Sequence, residues 1–232
     1  MDFRFTPGYY VGPVTQTAGA FKNVSIKFSP SAGPGTVTID CADASQCLEH
    51  NGPGTVEVVD LLFVGGGGPI LLLYRVTSAT VVDTFFSGPV APAPSNGSPF
   101  SSAVVLAVEA GSLSMLRCAI ADAVALAAVG AKHTPFVDLT DVVVTNATAG
   151  VVADLVNPLL VANSTAVVFD LDRVSVSEAQ DGQGIALRVA TPVASVTATL
   201  VDTNVTQANG PGVIVSGLAG TVDASFQGIV AC

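Results

Sequence analysis

The feature that most constrains the fold of this chain is a frame of four positions that recurs along it. In the segment TVEVVDLLF the apolar side chains fall at Val56, Val58, Leu61 and Phe63, as two alternating pairs separated by a two-residue step. Alternation suits a strand with one buried face, and the step suits a tight corner between two strands. The pattern therefore predicts pairs of short strands that bury the same side.

The frame returns five more times, and the residue at its corner is always Asp or Arg. The corner residues are Asp60, Asp83, Arg117, Asp141, Arg173 and Asp202, between 23 and 34 residues apart. The four inward positions of the later copies are Ala79, Val81, Thr84 and Phe86; Leu113, Met115, Cys118 and Ile120; Val137, Leu139, Val142 and Val144; Phe169, Leu171, Val174 and Val176; and Ala198, Leu200, Thr203 and Val205.

A further apolar run, such as PILLLYR or GVVADLV, follows most copies after a turn. Three short strands and three corners in a period of about 25 residues are typical of a stacked solenoid. The sequence thus predicts an all-β fold, a right-handed single-stranded parallel β-helix with three sides and about eight coils. A β-sandwich also has short strands and Gly-rich turns, but it has no reason to repeat one corner frame six times.

The domain organisation follows from where the frame is present. Residues 1–22 are unlike the repeats, and we expect them to form an N-terminal cap or arm, because an open end of a β-helix is a raw strand edge. Residues 23–232 are expected to form the β-helix, with a Pro- and Ser-rich loop inserted at 87–102.

Charge argues against nucleic-acid binding, and the length of the apolar runs argues against a membrane span. Only 11% of the residues are charged, the net charge is −10, and the eight Lys and Arg residues are scattered singly. Nucleic-acid binding needs a clustered basic surface, so it is not expected. No apolar run reaches the roughly 20 uninterrupted residues that a spanning helix needs, so no membrane span is expected either.

Residues 35–68, GTVTIDCADASQCLEHNGPGTVEVVDLLFVGGGG, resemble the parallel β-helix repeats of the pectin-lyase-like superfamily. The match is to the adhesin-like branch with the polymorphic outer-membrane proteins of chlamydiae and related protist and algal surface proteins. Its repeats place an IDC strand, a nearby Cys, a strand pair and a Gly-rich turn in this order. The GGAI-type sequence that follows the turn there is replaced here by GGGGPILL. The resemblance implies a β-helical surface protein.

Enzymes of the pectin-lyase-like group act on acidic sugars and need either paired carboxylates or Asp ligands for calcium beside a basic residue. The nearest set here is Asp170, Asp172 and Arg173, in which the two carboxylates share one strand face. An Asp-Asp pair or a Gly-His-Gly loop beside them is absent, so a solvated strand face is the favoured interpretation. The corner Asp column is likewise interpreted as structural rather than metal-binding, because a corner asks for a left-handed residue. No metal or cofactor is predicted.

Three other residue types allow two interpretations each. Cys41 and Cys47 fit either a small loop closed by a disulfide or two core thiols. The sequons at Asn23, Asn146, Asn163 and Asn204 indicate either glycosylation or Asn-rich corners beside Thr-rich strands. His50 and His133 are each predicted to lie in a surface turn.

The function predicted from these features is a non-enzymatic structural or adhesive surface protein, such as a coat, a spike or a matrix-like rod. It would act through self-association or partner binding, as a homo-oligomer or with other coat or surface proteins. Its expected location is extracellular, on a cell surface or on a virion surface. The alternative is a pectin-lyase-like enzyme or lectin that acts on a polysaccharide.

Overall fold

The computed structural model describes residues 2–12, 14–16, 24–33, 35–42, 46–88, 103–155, 166–180, 183–193, 195–219 and 222–231. Within these ranges every regular element is a β-strand, and every strand pair that they form is parallel. No helix that could cross a bilayer occurs in the described part of the chain. The predicted all-β class and parallel pairing are confirmed.

The first sheet contains nine strands, numbered here by their order in the whole chain. In spatial order they are β1 (Asp2–Phe5), β4 (Val24–Pro30), β7 (Gly54–Val59), β10 (Ser78–Val82), β13 (Ser112–Leu116), β15 (Phe136–Thr140), β17 (Ala166–Asp172), β20 (Ser195–Val201) and β23 (Val222–Gln227). Nine strands exceed the eight coils that the sequence predicts.

The second sheet contains fifteen strands in two strips, which we call the second and third strips because the first sheet forms the first. Both strips include part of the long strands β14 (Ala119–Lys132) and β16 (Val143–Leu155). The second strip consists of β2 (Gly8–Val11), β5 (Val37–Asp40), β8 (Leu62–Val64), β11 (Phe85–Ser87), the first part of β14 (Ala119–Lys132) and of β16 (Val143–Leu155), β18 (Ser175–Ala179), β21 (Asn204–Thr206) and β24 (Val230–Ala231). The third strip consists of β3 (Val14–Gln16), β6 (Leu48–Asn51), β9 (Leu71–Tyr74), β12 (Ala103–Val108), the later parts of β14 and β16, β19 (Ile185–Val193) and β22 (Val213–Ala219). Two large parallel sheets joined in this way are consistent with a parallel β-helix.

The N-terminal segment takes part in both sheets. Strands β1, β2 and β3 pair in parallel with β4, β5 and β6, so residues expected to cap the stack contribute its first strands. Of the loop insertion at 87–102, only residues 87 and 88 lie within the described part of the chain.

The core lies between the sheets and is built from the repeated frame. In all six copies, none of the four inward side chains is more than 2% exposed. The six corner residues all have φ between 47° and 55°. This left-handed conformation lets the chain turn sharply and resume as a strand that buries the same side, and Asp tolerates it better than most residues. The frame and its left-handed corners are confirmed.

Three polar residues in the core are satisfied by the corners themselves. The residue after the corner points inward, and at Thr84, Cys118 and Thr203 it donates a hydrogen bond to the carbonyl two residues earlier, at 2.9, 3.4 and 3.1 Å. A buried hydroxyl or thiol at this position therefore costs little, because its donor group finds an acceptor within the same turn.

Candidate functional site

The first candidate site lies on the outer side of the first sheet, where Asp170 is the register partner of Asp138 on the neighbouring strand. Asp172 lies two residues further along the same strand. Burial raises the pKa of the Asp170 carboxyl above its usual range, and the neighbouring charges of Asp138 and Asp172 raise it further. Adjacent strands are about 4.8 Å apart, so this patch brings a carboxyl of raised pKa close to two others.

The third member of that predicted set, Arg173, is held at the corner beside the patch. Its guanidinium donates to both carboxylate oxygens of Asp141, at 2.5 and 2.9 Å, and also to Asp172. The structure thus brings Asp170, Asp172 and Arg173 together, but the arginine is already engaged by two carboxylates. Such bidentate pairing orients the guanidinium toward the protein rather than toward a ligand.

Two of the four corner Asp residues, Asp83 and Asp141, pair with a corner arginine of the next turn, and we call these two pairs the ion-pair ladder. Arg117 bonds Asp83 as Arg173 bonds Asp141. The described residues contain no group of three or more His, Cys, Asp or Glu side chains arranged to hold a metal ion. Arg117 and Arg173 each lie between corner carboxylates and reduce the repulsion that stacked carboxylates would otherwise suffer.

A second polar cluster, which the sequence did not predict, lies at the corner that follows the strands of the third strip. Glu109 accepts hydrogen bonds from the Tyr74 hydroxyl at 3.1 Å and from Arg75 Nε at 2.7 Å. The hydrogen bond from Arg75 is the largest cause of the lowered pKa of the Glu109 carboxyl. The Arg75 guanidinium also lies 4.6 Å from the centre of the Tyr74 ring, a cation–π contact.

The same cluster continues on β14 and β16, where Lys132 and Asp154 are register partners and His133 follows Lys132. Burial lowers the pKa of Lys132 and of His133 and raises the pKa of Asp154. His133 Nδ1 and Asp154 Oδ1 are both buried and have no hydrogen-bond partner among the described residues. Lys132, His133 and Asp154 thus form a half-buried group of titratable side chains in which burial disfavours the charged form of each.

A sequence signal for this cluster does exist. Arg75, Glu109 and His133 all have left-handed backbones, with φ of 58°, 54° and 54°. They occupy one corner position after three strands of the third strip, in the segments LYRV, AVEAG and AKHTP. A repeated pattern for the strands of the third strip would have aligned these three residues. The strands of that strip differ too much in length for such a pattern to be visible in the sequence.

The outer side of the second strip is distinguished by its lack of charge. In the part of the second strip from β8 to β21, the first three residues of each strand turn one side chain inward, such as the fully buried Phe63 or Phe86, and one on either side of it outward. We call the twelve outward residues the uncharged face: Leu62, Val64, Phe85, Ser87, Ala119, Ala121, Val143, Thr145, Ser175, Ser177, Asn204 and Thr206. Phe85 is 40% exposed and Val143 46%.

The uncharged face contrasts with the other surfaces of the protein. The outer side of the first sheet carries Lys27, Glu57, Asp138 and Asp170 among its central positions, while the corner beside the uncharged face carries the ion-pair ladder. Half of the twelve residues are apolar and the others are Ser, Thr or Asn, and a weakly polar surface with charge only at its margin suits protein binding. The arrangement thus favours binding over chemistry on this side.

Two of the four predicted sequons lie in the described chain. Asn146 has a left-handed corner conformation, with φ of 52°, and its Nδ2 donates to Asp122 at 2.8 Å while its Oδ1 accepts from Gln180. Asn204 lies on the uncharged face, and its side-chain oxygen is buried with no hydrogen-bond partner in the described part of the chain. Asn23 and Asn163 fall outside the described residues.

The structure joins Cys41 and Cys47 by a disulfide, with Cα atoms 5.2 Å apart. Cys118 is a free, buried thiol inside the core. Burial raises its pKa to about 11, so it stays protonated and unreactive at neutral pH.

The prediction that both histidines lie in surface turns is wrong for His50. It lies on β6, in register with Leu73, and is fully buried. Burial lowers the pKa of its imidazole. The segment after it, NGPG, does contain turn residues, but the strand register carries His50 to the inward side before the chain turns.

No protein-family model matches the chain, and no curated protein matches it either. The likeness of residues 35–68 to β-helical surface repeats therefore rests on the motif itself and on the parallel strands that those residues form.

Proposed function

We propose that this chain is a non-enzymatic structural or adhesive surface protein, a stiff rod that acts through binding surfaces on its sides and ends. A coat, a spike or a matrix-like rod would each use such a shape. The rod itself is proposed to be a right-handed, three-sided parallel β-helix of the pectin-lyase-like type.

Strand order supports this winding. Early in the chain each strand pairs with the strand three places further on, as β1 with β4 and β4 with β7, and β14 and β16 each extend over two strips. Three strips then correspond to three sides, and parallel crossovers are right-handed in nearly all proteins. Nine stacked turns at about 4.8 Å each give a rod of about 43 Å.

The uncharged face is the observation that carries the function. A protein with a net charge of −10 leaves twelve adjoining outward positions without any ionisable group and exposes Phe85 and Val143 among them. Binding buries such a surface without desolvating charges, which is where interface affinity is most readily gained. A catalytic groove would instead concentrate titratable groups.

An exterior location is part of the proposal. A disulfide between Cys41 and Cys47 is stable in oxidising compartments, and the sequons at Asn146 and Asn204 suit a secreted protein. Antibody labelling of intact source cells or particles tests this directly. We expect intact and permeabilised samples to label equally, whereas labelling that requires permeabilisation would place the protein inside and contradict the proposal.

A second candidate, a carbohydrate-active enzyme or lectin, is favoured by one observation only, the raised pKa of Asp170 beside Asp138 and Asp172. A carboxyl of raised pKa beside other carboxyls is the arrangement that acid–base hydrolysis of a glycosidic bond uses. On this account Asp170→Asn with Asp172→Asn abolishes cleavage of a polysaccharide, whereas Asp223→Asn on the same sheet does not. If the unaltered protein cleaves and binds nothing in a broad polysaccharide panel, this candidate is eliminated.

A further inference from the structure

One column of inward-facing side chains, one from each strand, runs through the first sheet and is exposed at both ends of the sheet. The column begins at Phe3 on β1 and ends at Phe226 on β23, each connected to the next by strand register. The members after Phe3 are Phe28, Val58, Val81, Met115, Leu139, Leu171 and Leu200, none more than 1% exposed. At the ends the column opens: Phe3 is 37% exposed and Phe226 52%.

The inward-facing positions of β23 follow the repeated frame, but no further strand covers them among the described residues. Ala224 and Phe226 are in register with the fully buried Ala198 and Leu200, yet both are exposed. Gly228 takes the left-handed corner position, with φ of 65°. Among the described strands, β23 pairs only with β20 and β1 only with β4, so each presents one open edge.

We propose that a second copy of this chain docks end to end, with its β1 pairing in parallel along the open edge of β23. The proposal rests on the self-associating form of the function proposed above and adds its interface. All pairs in the sheet are parallel, so the edge of β23 and the edge of β1 already have the strand direction that a continued sheet requires.

Ring stacking within the chain shows what the junction would contain. Phe3 stacks on Phe28 with ring centres 5.3 Å apart and ring planes inclined by 14°. Placing Phe226 of one copy next to Phe3 of the following copy repeats this contact and covers both exposed rings. The interior column then continues through the junction.

The same register brings no like charges together. It sets Ser225 beside Asp2 and Gln227 beside Arg4, where Arg4 and Asp2 already bond each other at 2.8 Å. Two chains of net charge −10 repel at a distance, so a junction with neutral partners for its charged residues matters.

An end-to-end contact of this kind joins two different surfaces and leaves a free end on each side. It therefore repeats into a filament rather than closing into a ring or dimer. Nine strands at about 4.8 Å each predict a repeat of about 43 Å along that filament.

Sedimentation velocity of the full chain over a concentration series tests the junction. The unaltered protein is expected to form a ladder of oligomers that lengthens with concentration, with the axial repeat visible by electron microscopy. Phe226→Asp is expected to sediment as a monomer, because the carboxylate would be buried against Phe3 of the next copy. Phe136→Asp, which changes a similarly exposed ring in the middle of the first sheet and away from both end strands, is the matched control and should still form the ladder.

Mixing two variants distinguishes this junction from a symmetric one. Phe3→Asp and Phe226→Asp each retain one intact end, so each alone is monomeric and the equimolar mixture forms dimers and nothing longer. Thermal melting curves that match the unaltered protein show that both variants are folded. A monomer at every concentration, or an unaffected ladder in Phe226→Asp, overturns the inference. An exterior location that persists in that case leaves the proposed function standing, and loss of that location removes the function separately.

Discussion

Arg117 and Asp83 occupy the same corner position in successive copies of the frame, and the Arg117 guanidinium donates two hydrogen bonds to the Asp83 carboxylate, at 2.5 and 2.7 Å. Both residues hold left-handed backbone conformations. The corner that turns the chain is thus also where adjacent turns are joined by charge.

This pair predicts an acid-sensitive contribution to stability. The hydrogen bond from Arg117 lowers the pKa of Asp83 below its ordinary value of 3.8. The contribution is therefore present above that value and is lost as the pH falls through the lower pKa of the folded protein. Arg117→Gln should lower the urea midpoint slightly at neutral pH, because the pair is largely exposed. The difference from the unaltered protein should shrink in acid, and a difference that grows instead would contradict the assignment.

Two neighbouring phenylalanines test which side of the second strip is the core. Phe86 is fully buried and stacks on Phe63 with ring centres 5.3 Å apart, whereas Phe85 is 40% exposed. Phe86→Ala should cost about 3–5 kcal/mol of unfolding free energy, because a buried ring leaves a cavity. Phe85→Ala should cost about 1 kcal/mol or less. Urea unfolding of both variants measures this, and equal losses would show that the inward side has been misassigned.

Close packing between turns predicts a glycine that cannot be replaced. A Cβ at Gly150 would lie 2.2 Å from the carbonyl oxygen of Gly184 and 2.7 Å from a methyl carbon of Val176. Gly150→Ala should therefore destabilise the protein by about 1–3 kcal/mol, because backbone must move. Gly33→Ala is the control, since nothing lies within 4 Å of its Cβ position. Thermal unfolding should separate the two, and a neutral Gly150→Ala would rule out the close approach.

His50 predicts a second, milder pH dependence. Burial lowers the pKa of its imidazole below the ordinary value of 6.5, so the unfolded chain binds the proton more readily than the folded one. Stability is then complete above that value and declines as the pH falls below it toward the folded-state pKa. His50→Leu should flatten the curve of unfolding free energy as the pH falls below 6.5, leaving the slope due to His133. An unchanged slope in His50→Leu would contradict the buried position.

The interior of this protein was predictable because its rule is local. Within each frame, burial alternates along a short strand and resumes after a fixed two-residue step, so positions such as Val56 and Leu61 could be placed without knowing the rest of the fold. The left-handed backbone at Asp60 follows from the same step. The strands that follow the frame vary in length, so their register could not be assigned.

That uncertainty explains what the sequence did not show. His50 lies inward because β6 pairs with β9, a long-range relationship that a turn-rich segment conceals. The cluster of Glu109, His133 and Asp154 forms only when strands of unequal length are stacked in register. The first sheet has nine strands rather than about eight because β1 lies in a segment without a copy of the frame.

The central claim is that the protein binds through its uncharged face, and one measurement tests it most directly. Fluorescently labelled chain is incubated with intact cells or particles of the source organism, and the fraction retained after washing is compared between variants. Phe85→Glu with Val143→Glu places two charges at the exposed apolar positions of that face. Thr80→Glu with Ser114→Glu, on the outer side of the first sheet, adds the same charge elsewhere.

We expect the Phe85 and Val143 variant to lose at least roughly tenfold in retention, as two central interface positions ordinarily would. The Thr80 and Ser114 variant should be retained like the unaltered protein. Equal retention of all three proteins, or loss in the control variant alone, would contradict binding through the uncharged face.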